Sequence, residues 1–290
     1  MPRPKIKDHS IYLVITEECC RGRKAIDIAE AAIAGGVDMI QMREKGKPQG
    51  ELLGLGKQLA ALCKEKSVIF IVNDNPVLAK EVNADGVHLG QEDLKQCPIN
   101  KAREIIGSNK IIGISTHSVK EFETANGEDV DYIAFGPVFP TKTKDYFLGT
   151  NDMPKVLEIA RKPVFFIGGI NLSNMGELLA LGATNIALIR GITEAEDMAG
   201  VAGMFKERLL RPFGARNDGG EERKMKIKIN GKDESVERSV NISELISKKG
   251  LSCDKIVVEH NLRIVYKEEW AGIALQENDN IEIVSFVGGG

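Results

Sequence analysis

The strongest constraint in this chain is a rhythm. Short runs rich in β-branched residues alternate with longer amphipathic stretches, and the alternation repeats eight times between Ile11 and Leu210. "IYLVIT" leads into "RKAIDIAEAAIAGG", "VDMIQMRE" into "ELLGLGKQLAALCKEK", "VIFIVND" into "PVLAKEVN", and "ADGVHLG" into "DLKQCPINKAREIIG". The series continues with "IIGIS" before "SVKEFETAN", "VDYIAFGPV" before "DMPKVLEIARK", "PVFFIGGI" before "SNMGELLALG", and "TNIALIR" before "EAEDMAGVAGMFKERLL". Strands that are apolar on both faces need cover on both sides, which points to a parallel sheet wrapped in helices. Eight such units within roughly 200 residues predict a closed (β/α)8 TIM barrel. The alternative, an open doubly wound sheet, would carry a G-x-G-x-x-G turn after its first strand, and none stands there. Helix boundaries agree with the count. Ser118 with Glu121 and Thr193 with Glu196 fit capping boxes, and Gly36, Gly107 and Gly182 stand where a left-handed C-cap favours a residue without Cβ.

After the eighth unit the rhythm stops. Pro212, Gly214, Gly219 and Gly220 lie among charged residues and read as a linker. The boundaries predicted are a barrel over 1–213, a linker over 214–223 and a second domain over 224–290. In the last, "KMKIKING" alternates apolar and polar, "KDESVERSV" follows as a polar strand, and Asn241 with Glu244 caps a short helix, "ISELISKKG". "DKIVVEHNLRIVY" and "NDNIEIVSFV" complete a β-β-α-β-β unit of α+β type.

Composition narrows the partners. The formal net charge is −3 and no Lys/Arg block stands out, so neither nucleic acid nor an anionic membrane surface is expected as a partner. No apolar run approaches the ~18 residues of a membrane span. The five cysteines, Cys19, Cys20, Cys63, Cys97 and Cys253, form no C-x-x-C pair or regular framework, which suits reduced thiols and a cytoplasmic location. Cys19 and Cys20 read as incidental loop thiols, with a reactive thiol as the alternative.

Chemistry in such a barrel sits at the C-terminal ends of the strands. Side chains alternate along a strand, so Gln41, Arg43 and Lys45 of "QMREK" share one face, while Ile40 and Met42 share the other and suit packing against helices. Two cations directed into the barrel mouth call for an anion; the alternative is that Lys45 and Arg43 have left the strand as solvated loop charges. The third strand brings Asn73 and Asp74 to the rim and the fourth brings Asp93. Carboxylates on adjacent strands facing cations suit Mg2+, which typically takes one or two carboxylates plus phosphate oxygens and water. "GPVFPTKTKDYFLGT" after the sixth strand supplies Thr141, Lys142, Thr143 and Lys144 on a loop long enough for a lid. "IGGI" and "LIRGI" close the seventh and eighth strands, where barrels of this type hold phosphate on backbone N–H groups. Glycines 168 and 169 allow close backbone approach. His88 and His117 could be acid/base groups, although a strand histidine satisfied within the core is commoner. His9 and His260 look incidental.

The motifs "QMREK", "VNDN", "ADGVHLGQED", "IIGISTHS", "GPVFPTKTK" and "IGGI", in this order and spacing, resemble thiamine phosphate synthase over nearly all of residues 10–211. The resemblance implies an enzyme that joins hydroxymethylpyrimidine diphosphate to thiazole phosphate and releases diphosphate. It implies that Gln41, Arg43, Lys45 and Asn73 bind the pyrimidine diphosphate and that Asp74 and Asp93 hold Mg2+. Ser115 would contact the departing diphosphate and Lys144 would reach it from the mobile loop, so that Arg43, Lys45, Ser115 and Lys144 carry the catalysis. Thr141, Thr143, Gly169 and the Ile189 backbone would receive the thiazole phosphate. Arg190 stands where the family often has a small serine, and its guanidinium could either add a contact to that phosphate or point outward. A thiazole tautomerase-like relative shares the barrel but lacks the full diphosphate site.

From Met225 onward the chain resembles the small β-grasp, ubiquitin-like sulfur carrier of thiamine biosynthesis. The resemblance implies that a carrier-adenylating enzyme activates the terminal glycine carboxylate, at Gly289–Gly290, for conversion to a thiocarboxylate whose sulfur goes to thiazole synthase. In "SFVGGG" the glycines would form a thin flexible arm, with Gly288 adding reach. A non-catalytic scaffold presenting this module is the remaining alternative.

Overall fold

The computed structural model describes residues 3–142, 144–210, 224–237, 240–251, 256–273, 275–276 and 278–285. The chain divides into two compact units, residues 1–213 and 214–290. The predicted linker, 214–223, lies outside the described residues.

In the first unit, eight strands close into a barrel in sequence order, every neighbouring pair parallel. They are β1 (Ile11–Ile15), β2 (Met39–Met42), β3 (Ile69–Asn73), β4 (Gly86–Leu89), β5 (Ile111–Thr116), β6 (Tyr132–Phe135), β7 (Val164–Ile167) and β8 (Asn185–Leu188). The doubly wound alternative is excluded by the β1–β8 pairing, Ile11 to Ile186 through Leu13 to Leu188. Side-chain alternation splits the apolar residues into two cores. Outward-facing Leu13, Ile40, Val72, Val87 and Phe135 pack against the helices, while Tyr12, Met39, Ile71, Tyr132 and Phe165 fill the interior. Three interior aromatics meet edge to face, Tyr12, Tyr132 and Phe165, with centroids 5.3 to 5.7 Å apart. They fit because small residues stand opposite: a Cβ on Gly113 would lie 2.0 Å from Cζ of Tyr132.

The bottom rim is held by a repeated clasp. A residue at the start of each even strand, or just before it, accepts a hydrogen bond from a backbone N–H near the start of an odd one. Asp38 takes Ile11 N–H at 2.8 Å, Asp85 takes Phe70 N–H at 2.9 Å, Asp131 takes Ile112 N–H at 2.8 Å, and Asn185 takes Ser10 N–H at 2.9 Å. Lys206 neutralises Asp38, and Arg103 and Arg3 neutralise Asp131.

Several local expectations hold. Ser118 accepts from Glu121 N–H, and Gly36, Gly107 and Gly182 all take φ near +93° to +95°. Two do not. Thr193 ends the short helix Arg190–Thr193 and is buried, so it does not cap the helix Met198–Leu210. The stretch after β4 forms two helices, Gln91–Gln96 and Ile99–Ile106, because Pro98 cannot continue the first.

The described residues of the second unit form a five-stranded sheet of order β10-β9-β13-β11-β12 with an α-helix, Ile242–Lys248, and a 3-10 helix, Lys267–Gly272. Its strands are β9 (Lys224–Ile229), β10 (Lys232–Glu237), β11 (Ile256–His260), β12 (Arg263–Val265) and β13 (Asn280–Ser285). The unit holds one strand more than the β-β-α-β-β expectation. "DKIVVEHNLRIVY" folds back on itself at Asn261 and Leu262, both with positive φ, to give β11 and β12. The final strand is central and pairs parallel with β9, the mixed topology of a β-grasp fold. Ile227, Val258 and Ile281 pack against Ile242, Ile246 and Trp270, and the Trp270 indole N–H donates to Val265 O at 3.0 Å. Asn241 and Glu244 form the capping box expected.

Candidate active site

At the C-terminal ends of the barrel strands, β2 delivers Gln41 into the interior, and β2 ends at Met42. Arg43 extends the ladder by one bond, its N–H donating to Ile15 O at 2.9 Å, and Lys45 is exposed beyond it. Both cations have thus left the strand, yet both act on the carboxylate of Asp74. Asn73 is the last residue of β3. Asp74 turns the chain sharply with φ +61° and donates its N–H to His88 O at 2.8 Å, while Asn75 caps the helix Pro76–Glu81. A left-handed aspartate between strand and helix is backbone strain of the kind found at functional sites.

Asp93 lies in the helix Gln91–Gln96, and its carboxylate accepts Gly90 N–H at 3.0 Å. The Asp74 and Asp93 carboxyls lie close enough to act on each other. Burial, then the neighbouring Asp93, push the Asp74 carboxyl up to about 6, and Lys45 and Arg43 pull it partly back. Two carboxyls forced together at a rim are a donor set in want of a cation. No cluster of three or more His, Cys, Asp or Glu suited to a metal occurs among the described residues. A two-carboxylate set matches Mg2+, which completes its shell with phosphate oxygens and water.

A chain of hydrogen bonds crosses the barrel interior behind these groups. Gln41 Nε2 donates to Tyr12 Oη; Tyr12 Oη and Tyr132 Oη are 2.8 Å apart; Tyr132 Oη meets His88 Nδ1 at 2.9 Å; and His88 Nε2 meets Ser115 Oγ at 2.8 Å. His88 is thus the satisfied core histidine, and burial lowers it to about 4. Burial likewise raises Tyr12 and Tyr132 above the ordinary phenol range. Gln41 and Ser115 are among the residues expected at the site from the sequence; Tyr12 and Tyr132 are not. Their only local signal was the inward parity of Tyr12 and Tyr132 on their strands.

The opposite side of the mouth is built from loops. Thr141 and Lys144 face each other across an isolated bridge, and Lys144 Nζ lies 5.9 Å over the Tyr146 ring. Thr143 lies outside the described residues. His117 Nδ1 contacts Gly136 O at 2.6 Å and its ring meets Tyr146 edge on. Gly168 and Gly169 have φ +104° and +64°, and the close approach they allow is made by the protein's own loop: a Cβ there would strike Pro137 at 2.3 Å and Pro140 O at 2.3 Å. Ile189 precedes the helix Arg190–Thr193. Arg190 bonds to the carboxylate of Glu194, which also lies 3.8 Å from Arg21 and feels Lys142. Arg190 Nε is buried without a partner among the described residues. Cys19 and Cys20 are buried, and burial raises both thiols, Cys20 to about 11, which marks them as unreactive. Cys253, Gly288, Gly289 and Gly290 lie outside the described residues. His260, at the end of β11, bonds to Asp279 just before β13 at 2.8 Å, and His9 Nδ1 meets Leu209 O at 2.8 Å. No helix among the described residues is long and apolar enough to cross a membrane.

A closed parallel barrel with cations and paired carboxylates at its C-terminal mouth defines a class of enzyme that handles phosphorylated substrates. Residues 11–192 match the thiamine monophosphate synthase family, and residues 220–290 match the ThiS family. The thiamine-phosphate synthase of Halalkalibacterium halodurans is 39% identical over 203 residues, spanning 69% of this chain and 95% of that protein. That of Persephonella marina is 38% identical over 193 residues, spanning 66% of this chain and 91% of that protein. Among solved structures, thiamine phosphate pyrophosphorylase from Pyrococcus furiosus superposes with a TM-score of 0.63 at 36% identity, covering 70% of this chain and 97% of that one. The chain therefore belongs to the thiamine monophosphate synthase family and carries a ThiS-family domain at its C-terminal side.

Proposed function

We propose that the barrel joins hydroxymethylpyrimidine diphosphate to thiazole phosphate, giving thiamine phosphate and free diphosphate. The observation that carries this reading is the Asp74–Asp93 carboxyl pair, with Arg43 and Lys45 near enough to act on the Asp74 charge. As the C–O bond to the diphosphate breaks, its electron pair leaves with oxygen, and the electron-rich aminopyrimidine stabilises the methylene cation left behind. The thiazole nitrogen then donates its lone pair to that carbon. No protein nucleophile is needed; the protein has to stabilise leaving-group charge. Arg43, Lys45 and Asn73 bind the diphosphate, Ser115 and Lys144 donate to it as it departs, and Gln41 orients the pyrimidine. Thr141, Thr143, Gly169, the Ile189 backbone and Arg190 receive the thiazole phosphate. Asp74 and Asp93 would hold Mg2+, which would supply further neutralisation of phosphate charge.

For the second unit we propose a sulfur carrier loaded as a thiocarboxylate at Gly290, a residue within the ThiS-family match. Its partners are a carrier-adenylating enzyme and thiazole synthase. The four described cysteines are all free, which suits the reducing cytoplasm. Incubating the full chain with both substrates and Mg2+ tests the barrel. Thiamine phosphate forms with the native protein, and Asp93→Ala abolishes it. No product from the native chain, or full activity in the variant, refutes the reading. For the carrier, incubation with adenylating enzyme, ATP and a sulfur donor raises the intact mass by the exchange of one oxygen for sulfur, and deletion of Gly290 prevents it.

A further inference from the structure

The buried chain from Gln41 to Ser115 can run in either of two directions, and the Gln41 amide, placed with Nε2 toward Tyr12, selects one. A neutral phenol carries one proton, and so does a neutral imidazole. Gln41 presents Nε2 to Tyr12 Oη, so the amide is the donor in the first link. Tyr12 then has its own proton free for Tyr132 Oη, at 2.8 Å. Tyr132 in turn gives its proton to His88 Nδ1, at 2.9 Å. The imidazole proton must therefore sit on Nε2, where it is donated to Ser115 Oγ at 2.8 Å. Ser115 accepts that bond and keeps its own hydroxyl proton. Reversing any single link would leave one contact with two protons and another with none, in a region closed to water. That defect costs about 1 to 3 kcal/mol for each unsatisfied buried group. The links can only reverse together, and full reversal requires the Gln41 amide to turn over.

We propose that Tyr12, Tyr132 and His88 form a proton-ordered relay that holds Ser115 as a hydrogen-bond donor and Gln41 as a hydrogen-bond acceptor toward the barrel mouth. The two ends suit the two halves of one ligand. Gln41 has given its Nε2 donor to Tyr12, so Oε1 is its acceptor for an exocyclic amino group on a heterocycle. Ser115 keeps a proton for an anionic leaving group. This assignment of the ends rests on the aminopyrimidine diphosphate reading given above. Tyr12, Tyr132 and His88 are positioning residues: they make the two ends polar in opposite senses before a ligand arrives, so no hydroxyl rotor has to turn as charge develops. Packing supports the order. The His88 ring stacks on Tyr132 with centroids 5.6 Å apart, and Gly113 opens the space that the Tyr132 ring occupies.

The test begins with the ligand-free full chain. Two-bond 1H–15N correlations of the imidazole rings, with His88 assigned by its loss in His88→Gln, should show a protonated Nε2 and a bare Nδ1. A His88 ring carrying its proton on Nδ1 overturns the proposal whatever the barrel catalyses. Tyr132→Phe removes the middle link and adds no volume. In the variant the His88 proton should redistribute between the two nitrogens. The kcat of thiamine phosphate formation should fall about 10- to 100-fold, the span of one charge-assisted hydrogen bond made in the transition state, with KM for the pyrimidine diphosphate within about threefold. A change in KM alone, or no change in kcat, overturns it. Should Tyr132→Phe fail to fold, the pair His88→Gln and His88→Asn replaces it. Gln can reach Ser115 with an amide N–H and should retain more kcat than the shorter Asn; equal losses refute the relay. Should the native chain form no thiamine phosphate, the functional reading fails while the tautomer measurement still decides the relay.

Discussion

The Asp74–Asp93 pair makes the metal-free barrel less stable than it could be, and Asp74→Asn should reveal by how much. The Asp74 carboxyl is raised from 3.8 to about 6 in the fold, chiefly by burial and then by Asp93. A carboxyl whose folded value lies above its unfolded one supports the fold only while protonated. Its contribution is full below pH 4 and lost as pH rises through about 6. At about 1.4 kcal/mol per pH unit, a gap of roughly two units is about 3 kcal/mol at neutral pH. Asp74 is partly exposed, and solvent screening takes about half of that. Asparagine tolerates the left-handed backbone and turns a repulsive contact into a donated hydrogen bond to Asp93. In EDTA at pH 7.5, Asp74→Asn should therefore be more stable than the native protein by about 1.5 kcal/mol, or roughly 3 to 6 °C in the barrel transition. The gain should vanish at pH 4. Added Mg2+ should stabilise the native barrel by mass action and leave the variant unmoved, while thiamine phosphate formation by the variant collapses. Calorimetry across pH 4 to 8, with and without Mg2+, reads all three. A variant that is destabilised at neutral pH, or a gain that does not depend on pH, refutes the account of the pair.

Three further outcomes follow. Gly113→Ala places a Cβ 2.0 Å from the Tyr132 ring, and such overpacking should cost about 1 to 3 kcal/mol in urea denaturation while lowering kcat through the displaced hydroxyl. Asn241→Ala removes the capping box of the second unit and should cost it about 1 kcal/mol. Trp270 is the only tryptophan in the chain, so its fluorescence follows that unit alone, and the barrel transition by calorimetry should not move. Glu194→Gln frees Arg190 from its ion pair and should lower KM for thiazole phosphate several-fold; an unchanged KM would place Arg190 away from that phosphate.

Periodicity made the barrel legible, because eight strand-helix units in a row leave few other ways to bury their apolar faces. Local caps were legible where one turn of helix carries the whole signal, as at Ser118 and Asn241. Thr193 shows the limit: the same spacing occurs there, but the chain after β8 coils immediately into Arg190–Thr193 and buries the residue as a helix end. At the rim, parity on β2 placed Gln41 inward, but Arg43 and Lys45 lie beyond the end of that strand, and Asp93 comes from the helix Gln91–Gln96 rather than from the end of β4. The Tyr12–Tyr132 contact was not, since those residues stand 120 apart and meet only when the barrel closes. Gly168 and Gly169 were expected to let the backbone close on a phosphate, whereas the atoms that close on them in the fold belong to the loop around Pro137 and Pro140.

The clasps on the bottom rim also carry information about time. Three of them join residues near in sequence, Asp38 to Ile11 across 27 positions, Asp85 to Phe70 across 15, and Asp131 to Ile112 across 19. The fourth, Asn185 to Ser10, spans 175. Short loops close at lower entropic cost than long ones, so we expect the three local clasps to form while the chain is still open and the Asn185 clasp to seal it last. Asp85→Ala should then slow refolding, whereas Asn185→Ala should leave refolding nearly unchanged and hasten unfolding. The reverse pattern in stopped-flow measurements would rule out that order of assembly. The barrel would thus be latched shut at the end remote from its chemistry.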